Sequence, residues 1–218
     1  MNILHLSNVI GESKGGGVHE VVSNLYKYQK SLNHHPHIWY PGDKKDGDSI
    51  RLDENIKNLE TFGNSNYGVV KDLFRSLPDE INEFDIIHQH GIWKPISLYS
   101  KKIRRKLKIK SVIQPHGYLE PFRLNISKYK KRIVYNLFER SNLNDTNALV
   151  ACAFDEAYKL KKLFPKKDIA VVPNGISLDF FYADKDMPIE KKKNRMLFLS
   201  QIIPIKGLER LFRVIHEI

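Results

Sequence analysis

The chain has 218 residues, 41% of them hydrophobic, and a formal net charge of +11; that is enough for one well-filled core and the start of a second. The single Cys152 excludes an internal disulfide and fits a reducing, cytoplasmic setting. Met1–Ser7 has neither the basic region nor the length of a secretory signal, and no stretch approaches the ~18 uninterrupted apolar residues of a transmembrane helix.

Asn2–Ser7 is the first predicted strand. Gly15, Gly16 and Gly17 follow it and precede a predicted helix over Val18–Leu32, where Val18, Val21, Val22, Leu25, Tyr28 and Leu32 recur near helical spacing. Glycines here let the backbone approach a ligand, and a helix start offers free N–H groups to an anion. A flexible turn needs the same residues, and Gly11 lies too far upstream to complete a dinucleotide-binding fingerprint.

Strands are predicted over Pro36–Tyr40 and Ile56–Phe62, a helix over about Tyr67–Leu77, and a buried strand over Phe84–His88. The last runs into Gln89, His90, Gly91, Ile92 and Trp93. His88 and His90 can share a strand face, as metal ligands sometimes do. No third ligand of convincing spacing accompanies them, so no metal site is assigned. After a helix over Ile96–Leu107, the strand Ser111–Gln114 ends in Pro115, His116, Gly117 and Tyr118. His116 can bond a sugar hydroxyl or a phosphate oxygen there, or be structural.

The charge is concentrated in one segment. Lys101–Arg140 holds thirteen Lys/Arg and two acids, and the remainder has twenty-three of each. Such an excess points to an anionic partner: a membrane surface, nucleic acid or a phosphorylated substrate. Within it, Lys101–Lys110 fits a solvated helix end. A predicted helix over Ser127–Leu143 aligns Ile126, Tyr129, Ile133 and Leu137 beside Lys128, Lys130, Lys131 and Arg132. That profile suits an interfacial membrane helix or a core-facing helix with a basic outer side. No nucleic-acid-binding motif accompanies it, so nucleic acid is the least favoured partner.

A strand over Ala148–Cys152, a helix over Asp155–Leu163 and a strand over Ile169–Val172 complete the alternation, followed by the turn Pro173-Asn174-Gly175. Alternation of this kind predicts an α/β fold, a Rossmann-like doubly wound parallel sheet, with ligands at the carboxyl ends of the strands. This domain is expected over residues 1–178 and a linker over 179–195. A strand over Met196–Ser200, the Lys206-Gly207 loop and a helix from Leu208 would open a second domain. One strand and one helix cannot bury their own apolar faces, so the rest of that domain is expected past Ile218.

Taken in order, the Gly-rich segment, the Asp85-Ile86-Ile87-His88-x-His90-Gly91 strand, the Pro115-His116-Gly117 strand end, the Pro173-Asn174-Gly175-Ile176 turn and the Lys206-Gly207 pair resemble the family 4 (group 1) glycosyltransferases. Gln114–Pro121, the basic helix and Val172–Gly175 look most like enzymes of O-antigen, capsule or exopolysaccharide assembly. The resemblance implies the acceptor-side half of a two-domain GT-B fold. It implies sugar transfer with retention of configuration from a UDP- or GDP-sugar to a lipid-linked or oligosaccharide acceptor, with no metal or other cofactor. By similarity, Gly16 and Gly17 face the donor phosphates, His116 contacts the donor sugar near the reaction centre, and Lys206 neutralises the diphosphate. His90, Gly91, Trp93, Gly117, Tyr118 and Asn174 line the cleft. The basic helix would hold the enzyme on the anionic inner face of the cytoplasmic membrane. Where the family usually carries Arg, this chain has Gln201, a neutral donor in place of a bidentate cation. That departure leaves a catalytically impaired binding module as the alternative. The chain as given is expected to be inactive without the rest of the second domain.

Overall fold

The computed structural model describes residues 1–8, 12–41, 53–63, 68–176, 196–200 and 202–217. The chain divides into two units, Met1–Ile176 and Ser177–Ile218. The expected linker and Gln201 lie outside the described residues.

The first unit is built on a seven-stranded sheet. Its strands are β1 (Asn2–Ser7), β2 (His35–Pro41), β3 (Ile56–Leu59), β6 (Ile86–His90), β7 (Lys110–Gln114), β8 (Ala148–Ala151) and β9 (Asp168–Val171). Their order is β3-β2-β1-β6-β7-β8-β9, and all the pairings are parallel. The chain winds outward from β1 one way and then, through β6, the other. The crevice beside β1 and β6 is therefore the topological switch point, where ligands of doubly wound sheets bind.

Strand alternation decides what each face buries. On one face Leu4, Leu6, Trp39 and Ile87 meet Ile96, Tyr99 and Ile103 of helix α2 (Ile96–Leu107). On the other, Ile38 and Tyr40 meet Val22 and Tyr26 of helix α1 (Glu12–Ser31). Further along, Ile113, Leu149 and Ala151 pack with Leu143 and with Leu160 of helix α6 (Phe154–Leu163). Each fully buried Leu or Ile contributes about 1.5–3 kcal/mol relative to exposure.

Several local expectations are corrected. The helix expected from Val18 begins at Glu12 and runs through the glycine triplet, broken by non-helical dihedrals at Gly16 (φ 48°, ψ −143°). The strand expected over Ile56–Phe62 divides: Thr61–Phe62 (β4) turns away to pair antiparallel with Val69–Val70 (β5). The helix expected over Tyr67–Leu77 is replaced by β5 and a 3₁₀ turn over Lys71–Leu73. Lys102 from α2 supplies the reason. Its ammonium donates to the carbonyls of Asp72, Leu73 and Arg75 at 2.9, 3.0 and 2.5 Å, holding acceptors that a helix would use internally. Helix α3 covers Pro121–Asn125. The helix expected over Ser127–Leu143 is three segments: α4 (Lys128–Val134), a π turn (Tyr135–Glu139) and α5 (Arg140–Asp145).

In the second unit, Pro204–Lys206 forms a 3₁₀ turn closed by left-handed Gly207 (φ 73°). Helix α7 (Leu208–Glu217) follows, with no buried residue. Met196–Ser200, expected as a strand, makes no ladder among the described residues; a strand needs a paired neighbour to satisfy its backbone. No described helix is long and apolar enough to cross a membrane.

Candidate active site

Three strands end level with one another. Ser7 pairs with His90, and His90 with Gln114, so their carboxyl ends form one edge. The chain then turns sharply at each. Gly91 takes φ 77°, and a Cβ built there would lie 2.6 Å from Asn8 Nδ2, so any other residue would be strained and would have to displace Asn8. Its N–H donates to the Gln114 carbonyl at 2.9 Å, tying the ends of β6 and β7 together. After β7, His116 (φ 55°) and Gly117 (φ 71°) are both left-handed. A non-glycine residue pays strain in that region, and a carboxylate holds it there. Glu156, in the first turn of α6, accepts the N–H groups of Gly117 at 2.7 Å and Cys152 at 2.8 Å.

A cluster of imidazoles sits along this edge. His5 Nδ1 lies 2.9 Å from His90 Nε2, and His90 Nδ1 lies 3.2 Å from His116 Nε2. The other nitrogen of His5 is 2.7 Å from Gln29 Oε1 of α1. Cys152 Sγ lies 3.9 Å from His116 Nδ1 and accepts from Gln114 Nε2 at 3.3 Å. Burial dominates the titration of the group. It pulls His5 down to about 4, partly opposed by the Gln29 bond, and His116 down to about 4. His88 and His90 are held well below the ordinary range by burial and by the neighbouring rings. All four rings are therefore neutral at pH 7.

Ring nitrogens of His5, His88 and His90 lie within 4.8 Å of one another, a spacing that a transition ion can bridge. The facing nitrogens of His5 and His90 are, however, already bonded to each other. Nε2 of His88 and Oδ1 of Asn8 are buried without a hydrogen-bond partner among the described residues.

The other sequence-predicted residues fall as follows. Trp93, left-handed at φ 72°, donates its indole N–H to the Tyr118 carbonyl at 3.1 Å and its backbone N–H to Glu139 at 2.9 Å. Tyr118 lies under the Arg123 guanidinium, 5.0 Å from its ring centroid. Asn174 accepts from Gln114 at 3.5 Å. His90, Gly91, Trp93, His116, Gly117, Tyr118 and Asn174 thus belong to one connected edge. Gly16 and Gly17 are exposed in the first turns of α1, and a Cβ at either would meet nothing within 4 Å. Lys206 is exposed in the second unit. Lys128, Lys130 and Arg132 are exposed, whereas Lys131 is half-buried, donates to the Arg123 carbonyl and lies 6.0 Å from the Trp93 ring.

His5, Gln29, Cys152, Glu139 and Glu156 are not assigned to the site from the sequence. The available signals were a histidine inside the apolar run Ile3–Leu6, and the Cys152/Glu156 spacing at a strand–helix junction. Glu139 is fully buried, and burial raises its pKa against the bonds it accepts from Asn142 and Trp93.

Comparisons with known proteins agree with this architecture. No curated protein matches the chain. Among solved structures, Anabaena HepE in complex with UDP is similar at TM-score 0.55 and 14% identity, over 83% of this chain and 46% of that one. The lipopolysaccharide outer core galactosyltransferase WaaB is similar at 0.54 and 19%, over 82% and 47%. Sucrose-phosphate synthase from Thermosynechococcus elongatus is similar at 0.53 and 15%, over 82% and 49%. The chain thus spans somewhat less than half the length of these structures, and at such identities the likeness is one of fold: the Rossmann-like amino-terminal half of GT-B. The model of Glycosyltransferase Family 4 matches residues 15–180, most of the first unit, and the chain belongs to that family.

Proposed function

We propose that the chain forms the acceptor side of a retaining glycosyltransferase that moves a sugar from a UDP- or GDP-sugar to a lipid-linked or oligosaccharide acceptor in cell-surface polysaccharide assembly. The observation that carries this is the strand-end edge itself, where His116 is clamped in a left-handed turn and bonded to His90 at the switch point. A site of that design holds a neutral imidazole in one orientation, as a positioned hydrogen-bonding group requires. HepE, of the same fold, has been seen with UDP and with UDP-glucose, which supports a nucleotide-sugar donor. WaaB's role in the lipopolysaccharide outer core supports a surface glycan as product.

The donor would dock its diphosphate toward Gly16 and Gly17. The acceptor would lie near His90 and Tyr118. Domain closure would exclude water. The test is transfer in the enzyme carrying both domains, assayed across UDP- and GDP-sugars. His116→Ala is expected to cut turnover at least ~10²-fold, the low end for a positioned electrostatic or acid–base group. Unchanged turnover would remove His116 from the reaction.

A peripheral location on an anionic membrane is part of the same proposal. Helix α4 has no buried residue, and Ile126, Tyr129, Ile133 and Leu137 are 53%, 82%, 60% and 73% exposed. An apolar stripe left in solvent beside Lys128, Lys130 and Arg132 favours an interfacial helix over a core-facing one.

A further inference from the structure

The imidazole cluster has a direction. A carbonyl oxygen only accepts, so the contact with Gln29 Oε1 at 2.7 Å places the His5 proton on Nε2. His5 Nδ1 is then a lone pair, and the 2.9 Å contact requires the proton of His90 on its own Nε2. His90 Nδ1 accepts in turn, and the 3.2 Å contact places the His116 proton on Nε2. Nδ1 of His116 is left as an acceptor.

Cys152 Sγ lies 3.9 Å from His116 Nδ1 but is also bonded to Gln114, Glu156 and Asn174, so its S–H has the Glu156 carboxylate as an acceptor and the His116 lone pair is left for a ligand. An imidazolium would donate from both nitrogens and break the sequence of donors. Neutral rings are what this buried edge enforces. His88 lies alongside, its ring 4.0 Å from that of His90 and 5.3 Å from that of His5, and bonds Gln114 and none of Gln29, His5, His90 or His116.

We propose that Gln29, His5 and His90 form a directed hydrogen-bond relay that fixes the tautomer of His116, so that its Nδ1 takes a hydroxyl from the ligand and not a phosphate oxygen. A neutral lone pair accepts from an O–H and repels an anionic oxygen, which has no proton to give. Gln29 and His5 are thereby positioning residues. Gln29 acts on His116 through two intervening rings, His5 and His90. The inference rests on His116 facing the ligand, as proposed above, but the relay can be examined without any substrate.

The experiment is ¹⁵N–¹H correlation spectroscopy of the ring nitrogens in the whole chain at pH 7.5, for the wild type, Gln29→Leu and Gln29→Glu. Gln29 is half-buried, so both replacements suit the fold. The wild type is expected to show His5, His90 and His116 each as a single tautomer protonated on Nε2. Gln29→Leu removes the anchoring acceptor and is expected to move His116 toward a mixture of tautomers, although Gln29 does not touch it. Gln29→Glu keeps an acceptor and is expected to restore the wild-type pattern. A proton on Nδ1 of His116 in the wild type, or a His116 spectrum unchanged in Gln29→Leu, would overturn the relay. In the two-domain enzyme, Gln29→Leu is expected to lower kcat about tenfold at constant donor KM, less than the 10²–10⁴ of an acid–base group itself, with Gln29→Glu restoring it. Loss of the spectroscopic coupling defeats the relay alone, whereas an enzyme that transfers no sugar while the coupling persists defeats the proposed function.

Discussion

Glu156 accepts the backbone N–H of Gly117 at 2.7 Å with one carboxylate oxygen, and with the other it takes the Cys152 N–H at 2.8 Å. The ends of β7 and β8 are thus held by one side chain, and the left-handed pair His116–Gly117 is pinned between them. Glu156→Gln sets an NH₂ against one of those N–H groups. A buried donor left without an acceptor costs about 1–3 kcal/mol. Urea denaturation is expected to show a loss of that size, with turnover reduced because His116 is no longer clamped. Stability equal to wild type would mean that the turn holds itself.

Gly91 and Gly17 contrast a packing glycine with one proposed to face the donor. Gly91→Ala adds a Cβ 2.6 Å from Asn8 Nδ2 at φ 77°, and is expected to cost about 1–3 kcal/mol from strain and displacement of Asn8. A Cβ on Gly17 meets nothing within 4 Å. Gly17→Ala should therefore leave thermal stability within about 0.5 kcal/mol of wild type. If donor phosphates approach this backbone, donor KM rises nonetheless. A Gly17→Ala enzyme with unaltered KM would remove the glycines from the donor site.

The imidazole cluster sets an acid limit. Burial lowers His5 and His116 to about 4, from the ordinary imidazole value of 6.5. The unfolded chain gains protons below about 6.5 while the folded state stays neutral until about 4. Stability is therefore full above pH 6.5 and falls as pH drops toward 4. At pH 5 the loss is about 2 kcal/mol for each ring, and His88 and His90, lowered in the same sense, add to it. Urea midpoints at pH 7.5 and 5 are expected to show the drop, with a smaller one in His116→Gln. A flat profile across this window would mean that the rings titrate in the folded state as they do in water.

Much of the sheet and of its functional edge is legible in the sequence, for identifiable reasons. Helix α2 falls on Ile96–Leu107 as expected because its apolar positions and its left-handed end at Lys108 agree locally. The strand ends at His90 and His116 follow from apolar runs that stop at polar, glycine-containing turns. What local patterning could not supply was long-range partnership. Lys102 takes the carbonyls of Asp72–Arg75 from nearly thirty residues away, and a helix becomes a 3₁₀ turn. His5 meets His90 across 85 residues, so the relay exists only once β1 and β6 are neighbours. The stripe of Ile126, Tyr129, Ile133 and Leu137 has the same spacing whether it faces a core or a bilayer, and only its exposure in the structure sets the core aside.

That exposure leads to a prediction about membranes. Lys128, Lys130 and Arg132 extend into solvent, while Lys131 is committed to the Arg123 carbonyl. Each basic residue near an anionic surface contributes about 1 kcal/mol. Replacing the three by Gln is therefore expected to weaken binding to phosphatidylglycerol-containing vesicles ~10²-fold, with no change for neutral vesicles. The effect should shrink with added salt, because the attraction is screened beyond about 8–10 Å. Ile133→Glu places a charge in the apolar stripe and is expected to weaken binding to both vesicle types, since it removes the inserted face. Lys131→Gln serves as the internal control. It should lose the bond to the Arg123 carbonyl and the contact over the Trp93 ring, and lower stability more than it lowers vesicle binding. Sedimentation with liposomes of the two compositions measures all three variants, and equal binding of the wild type to neutral and anionic vesicles would rule out an electrostatic anchor at α4.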